Sequence, residues 1–469
     1  MKSEESCTMF SGTFNGNNHK VVGMKMNFTW ALGGAGLFCG VVNTTFKDLT
    51  FDETCSIASN GTAAMLSVLG SGTVTLENIR NEGSVTAAKA AGIFGMFMGT
   101  SLKVVRCVNS GTIAGNERAQ FLGGIVSEAI VNQYIPGRGD AVFEQCINKG
   151  TITATSTQNQ LSVGGIVSYA ALGVNKVVEC ANEGDISVVV ENQKKPVTVG
   201  GIVSTTSYYS SVEVTRCSNK GTITVKSDDY CAAAGIFGHM LGHNKTITIS
   251  DSYNAGDVLA NGAGIGVASG IIGQYAGESH GTLVISKCNN TATIQKLKAR
   301  SGVAAGIVGL IQGTPEQSIN VTDCMNLGKV QASSEACGII CGTDITKRTI
   351  TNSGNTGAVS GASASGISNL VSAADNVANT GTVTGTTNTA ALWKSCPEGK
   401  CTNAFQNQDK NDKETFIAKS KHDQCYYTDE SSKNVYTLLN DQKEAKYYSL
   451  FWDTKLVLDF SGTKPSGKC

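Results

Sequence analysis

Six cysteines stand on one frame: Cys107, Cys146, Cys180, Cys217, Cys288 and Cys324 each precede an asparagine by two residues. Regularly spaced thiolates can hold zinc, and thiols can pair as disulfides. The frame argues against both. Other copies carry Ile79, Ser252, Ser353 and Val377 at the same place, and no metal ligand is replaceable by Ile or Val. One thiol per unit also builds no tetrahedral set, and a disulfide comb tolerates gaps poorly. The residue before each cysteine is polar: Arg106, Gln145, Glu179, Arg216, Lys287 and Asp323. Alternation in a strand then turns the thiol inward and its predecessor outward. The expectation is a ladder of buried thiols that act as small hydrophobes.

Other residues with chemistry are sparse. His239 and His243 form a close pair, with Asp251 nearby in sequence. They could share a metal, but a loop fixes no i, i+4 face and no third ligand is evident. Arg138, Gly139 and Asp140 spell the tripeptide that integrins read, within the longest spacer. Glycan hydrolysis or elimination needs paired carboxylates, or a base beside cations, on one face. The acidic residues here are scattered, so no catalytic residue, no metal site and no cofactor is expected. Cys396, Cys401, Cys425 and Cys469 crowd the C-terminal segment. Two disulfides, free thiols and a zinc site all remain open for them.

The elements that carry these residues follow from an internal repeat. Asn81, Asn109, Asn148, Asn182, Asn219, Asn254, Asn290, Asn326, Asn355 and Asn379 anchor ten units spaced 24 to 39 residues apart. Four residues after every anchor stands Val or Ile, from Val85 to Val383. Two residues after it stands Gly, or Ala292 in one unit; five residues before it the side chain is apolar. A small residue followed by Gly-Ile recurs downstream, as at 91–93, 123–125, 164–166 and 200–202. Each unit offers about three short β-branched runs, such as Ile186 to Val190, Val199 to Val203 and Val212 to Cys217. None reaches helical length.

This pattern predicts an all-β parallel β-helix, or β-solenoid, over residues 1–390. One unit cannot bury its inward face alone; stacked units share a core. At about 4.8 Å per rung, ten coils give a rod of roughly 50 Å. Variable spacers leave as surface loops. The asparagine is expected to turn a corner, with its amide stacked into a ladder. The following glycine suits a positive φ or a close backbone approach.

The first coils differ. They read Gly-Thr-Phe-Asn-Gly-Asn-Asn-His at 12–19, Gly-Leu-Phe-Cys-Gly at 36–40 and Phe-Lys-Asp-Leu at 46–49. These stretches resemble the GLUG-motif repeat proteins, with Asn15 for an Asp, Asn18 for a Gly and Cys39 inserted before Gly40. The resemblance implies a right-handed parallel β-helix of the kind found in adhesin-like microbial surface proteins. From about residue 391 glycine becomes rare and Lys, Asp and aromatics rise. Residues 391–469 read as a C-terminal cap over the open end of the stack.

Lys plus Arg and Asp plus Glu are 37 each, so net charge is zero. That argues against a nucleic-acid partner. No run is long enough to span a bilayer as a helix, and the N-terminus lacks the apolar core of a signal peptide. The expected role is non-catalytic binding of a glycan or a cell-surface protein, outside the cell or on its surface. The alternatives are a carbohydrate-active β-helix enzyme and an intracellular structural rod. Composition does not fix the oligomeric state.

Overall fold

β-Branched residues at alternating positions, broken every few residues by Gly or Asn, favour short strands over helices. The computed structural model describes residues 8–406 except 29–33, 132–138, 156–159, 191–194, 208, 243–245, 262–263, 278–280, 298–300, 313–316, 343–346, 396 and 398–399, together with three later strands. The described elements are all strands. One coil shows the plan: Asp140–Glu144, Ile147–Asn148, Ile152–Ala154, Leu161–Gly164 and Val167–Ala171. The first, second and fifth belong to a 27-stranded sheet, the third and fourth to a 21-stranded sheet. Every strand of this coil pairs in parallel with its equivalent one coil on. The protein is a parallel β-solenoid.

The repeat offsets set the register. Val85, Ile113, Ile152, Ile186, Ile223 and Val258 stand opposite one another on successive coils and are fully buried. The runs are cut more finely than composition suggests. Val199 to Val203 spans the end of Val197–Gly200 and the start of Val203–Thr206. Val212 to Cys217 stops at Thr215, because Arg216 has a φ of 52°.

That angle corrects the expected corner. The left-handed residue is neither the asparagine nor the glycine after it. It is the polar residue before the cysteine, or before Ser252 in one coil: Arg106, Gln145, Glu179, Arg216, Asp251, Lys287 and Asp323 have φ between 51° and 55°. Gly150 is absent from the positive-φ glycines among the described residues, which are Gly12, Gly23, Gly72 and Gly173. Its place is a close approach instead. A Cβ on Gly150 would sit 1.9 Å from the Gly111 carbonyl oxygen, and one on Gly184 2.1 Å from that of Gly150.

The first coils run on longer strands, Met9–Val21, Phe38–Phe51 and Ser67–Asn81. The rings of Phe10, Phe14, Phe38 and Phe46 cluster there, with centroids 4.9 to 6.1 Å apart. At the other end the parallel stack continues past residue 390. Trp393–Ser395 pairs with Ser368–Leu370, and Cys401–Gln406 with Ala373–Asn379. Gln424–Thr428, Val435–Leu439 and Lys446–Ser449 then form an antiparallel meander. Most of 407–469, including Cys469, lies outside the described residues, as does Cys396. Cys39 and Cys401 each take part in a disulfide, and Cys337 and Cys341 are bonded to each other.

Candidate functional site

The repeated corner has its own hydrogen-bond chemistry. All ten anchor asparagines are buried. Asn148 Nδ2 donates to Gly150 O at 2.9 Å and to Asn182 Oδ1 at 2.7 Å. The chain of amides runs without a break from Asn81 to Asn379, each link between 2.6 and 2.8 Å. The Gly-Ile element explains itself here. A Cβ on Gly124 would sit 2.7 Å from Asn148 Cγ, and one on Gly165 2.7 Å from Asn182 Cγ. The glycine leaves room for the next coil's amide.

The cysteines do more than fill space. Cys107, Cys146, Cys180, Cys217, Cys288 and Cys324 are free and buried. The left-handed residue lifts the following N–H out of the strand ladder. The next coil supplies the acceptor: Cys146 N–H donates to Cys180 Sγ at 3.4 Å, and Cys288 N–H to Cys324 Sγ at 3.4 Å. Where serine replaces cysteine, its hydroxyl does the same: Cys217 N–H to Ser252 Oγ at 3.0 Å and Cys324 N–H to Ser353 Oγ at 3.1 Å. The thiols therefore act as weak polar groups, not as mere hydrophobes. Both ladders bond inward and present nothing to a ligand.

A different set of residues faces outward. Three residues past the Ile of five successive Gly-Ile elements stand Glu128, Tyr169, Thr205, His239 and Gln274, stacked one above another. They border the angle where the fourth strand of a coil turns sharply into the fifth. The turn is tied by serine: Ser127 Oγ–H donates to Phe121 O at 3.0 Å and Ser168 Oγ–H to Ser162 O at 2.7 Å. A cavity of about 470 Å³ opens in this angle, lined by Gln120, Phe121, Gln160, Ser162, Tyr169, Thr205, Thr206, His239 and Leu241. Its size falls among small-ligand pockets, roughly 300–1,000 Å³.

The Phe121 and Tyr169 rings meet at 5.5 Å between centroids, tilted by 33°. Lys89 Nζ lies 5.2 Å from the Phe121 centroid and 2.9 Å from Glu128 Oε1. This ion pair closes one side of the aromatic pair, with Glu128 almost wholly buried. Burial pushes the Tyr169 phenol up, and the Glu128 charge adds to it, while Ser207 pulls it back. Burial pushes the His239 imidazole down to about 4. His239 Nε2 is shielded from solvent and has no hydrogen-bond partner. The ring is therefore neutral near pH 7.

Of the residues singled out by sequence, His239 lines this cavity. His243 and Arg138 lie outside the described residues. Asp140 starts a strand and pairs with Lys176 at 2.9 Å; a Gly139 Cβ would meet Thr100 O at 2.1 Å. Gly139 and Asp140 therefore pack against neighbouring coils. Among the described residues no three His, Cys, Asp or Glu side chains are placed to hold a metal ion, and no helix is long and apolar enough to cross a membrane. Sequence reasoning missed Phe121, Tyr169 and Thr205. The fixed offset from the Gly-Ile element could have found Tyr169 and Thr205. No family model, curated protein or solved structure matches the chain.

Proposed function

We propose that this solenoid is a non-catalytic binding rod whose cavity at Phe121, Tyr169, Thr205 and His239 holds a neutral glycan. The observation that carries this reading is the composition of the cavity: nine lining residues without a charge at neutral pH, among them an aromatic pair and a neutral imidazole. Sugars offer an apolar ring face and many hydroxyls. Aromatic rings suit the first, and Gln120, Gln160, Ser162 and Thr205 suit the second. The nearby charges of Lys89 and Glu128 are already paired. The likeness of the first coils to GLUG repeats supports display at a microbial surface, where many weak contacts add up.

A glycan array followed by calorimetry on the full chain tests this. Tyr169→Ala and His239→Ala are each expected to weaken binding at least tenfold, about 1.4 kcal/mol, with the melting curve little changed. Unchanged binding in both variants removes this site. The second reading, a carbohydrate-active enzyme, is favoured by one observation: Glu128, Tyr169 and His239 share one column. Polysaccharide depolymerisation abolished by Glu128→Gln would establish it.

A further inference from the structure

Lys296 ends the strand Ile294–Lys296, and its side chain turns into the core with 0% exposure. The same column holds Val188, Val225 and Ala260 on earlier coils and Ala332 on the next. A lysine at a Val or Ala position needs space. The facing column provides it: Val197, Cys231, Gly266 and Gly302 stand in register, so two glycines follow the cysteine. The lysine stem fills the gap they leave. A Cβ on Gly266 would sit 2.5 Å from Lys296 Cε, 2.9 Å from its Nζ and 2.6 Å from Cys231 Sγ. The amine nitrogen and the sulfur flank the same point.

Both groups are chemically unspent. Lys296 Nζ is sealed from solvent and has no hydrogen-bond partner of good geometry. Cys231 is a free, buried thiol. Burial pushes the Cys231 thiol up, and the Lys296 charge pulls it back. A polar pair with no partner on Lys296 beyond Cys231 costs stability in an apolar core, and a bond between the two would relieve it.

We propose that Lys296 and Cys231 are a covalent modification site, joined by dioxygen into an N–O–S bridge. One N–H and the S–H bond break, the O–O bond breaks, and N–O and O–S bonds form. The second oxygen leaves as water with the two hydrogens. Sulfur and nitrogen each give up two electrons, and dioxygen takes up the four. The bridge clips the coil of Cys231 to the coil two rungs on, across Gly266. It sits apart from the glycan cavity and does not depend on that reading.

Mass spectrometry of the full chain, kept folded in air or in dilute peroxide, tests this. The expected product is about 14 Da heavier, one oxygen gained and two hydrogens lost. Digestion is expected to link the peptides of Cys231 and Lys296, and a thiol reductant to release them. Lys296→Met, which keeps the apolar stem, and Cys231→Ser are expected to lose the link. The linked wild-type protein is expected to melt higher than its reduced form, by more than any redox shift seen in Lys296→Met. An unlinked wild type, an oxygen added to Cys231 alone, or a link that survives in Lys296→Met each overturns the proposal.

Discussion

A buried amide or N–H without a partner costs more than a good hydrogen bond gains, and this asymmetry explains the repeated side chains. Cys180 Sγ accepts from Cys146 N–H, as Ser252 Oγ accepts from Cys217 N–H. Cys180→Ser is therefore expected to be tolerated within about 1 kcal/mol, whereas Cys180→Val, of closer polarity, should cost about 1–3 kcal/mol by leaving that N–H unpaired. Urea unfolding of the two variants decides it; the opposite order would make the thiols simple fillers. His239 gives the second residue-scale expectation. Above about pH 6.5 the imidazole is neutral folded or unfolded. As pH falls toward about 4, the unfolded chain takes up a proton that the folded one refuses. Stability is therefore full above 6.5 and falls through this window, by up to about 3 kcal/mol. In His239→Gln this part of the pH slope should vanish, and an NMR titration of His239 should show no midpoint above 5.

At the scale of the element, the corner is two devices rather than one. The polar residue before the cysteine turns the chain with a left-handed φ, and the glycine after the asparagine admits the neighbouring backbone. They predict different mutational signatures. Glu179→Gly should be tolerated in stability, since glycine accepts that φ freely, while Glu179→Val should cost about 1–2 kcal/mol. Gly150 responds the other way: even Gly150→Ala brings a Cβ against the Gly111 carbonyl, and a loss of about 1–3 kcal/mol is expected. Ala292 occupies the equivalent place on its coil, buried, so the stack can yield locally. Chemical denaturation of the three variants tests the assignment; a wild-type curve for Gly150→Ala would remove the close-approach account. On the outer side of the same corner, Arg216 and Gln145 both bond Glu179, at 2.9 Å each. Such exposed contacts help fix register but add little stability.

For the whole molecule, each coil touches its neighbours through the same columns, so stability is close to a sum over coils and interfaces. Removing residues 149–182 takes out one full period between Asn148 and Asn182 and joins equivalent points of the frame. The shortened chain is expected to fold, with a β-type circular dichroism spectrum and a cooperative melt. It lacks Gln160, Ser162 and Tyr169, so glycan binding should be lost. Removing half that length from the same start shifts the register and should abolish folding. A folded half-period variant would contradict the column-by-column description.

The sequence by itself determined the solenoid, its rung equivalences and the burial of the ladder residues. Those properties depend on which residue types recur at fixed offsets, and a repeat states that plainly: Ile113, Ile152 and Ile186 can only be equivalent if the coils stack. It did not determine which corner residue takes the left-handed φ. Asn, Gly and a polar residue all lie within five positions of one another, and backbone angles are decided by the neighbouring coil's carbonyls. Nor did it reveal the cavity at Phe121, Tyr169 and His239 or the Lys296–Cys231 pair. Each joins residues from different coils, across an angle or a gap left by glycines, and only packing in three dimensions brings such side chains together.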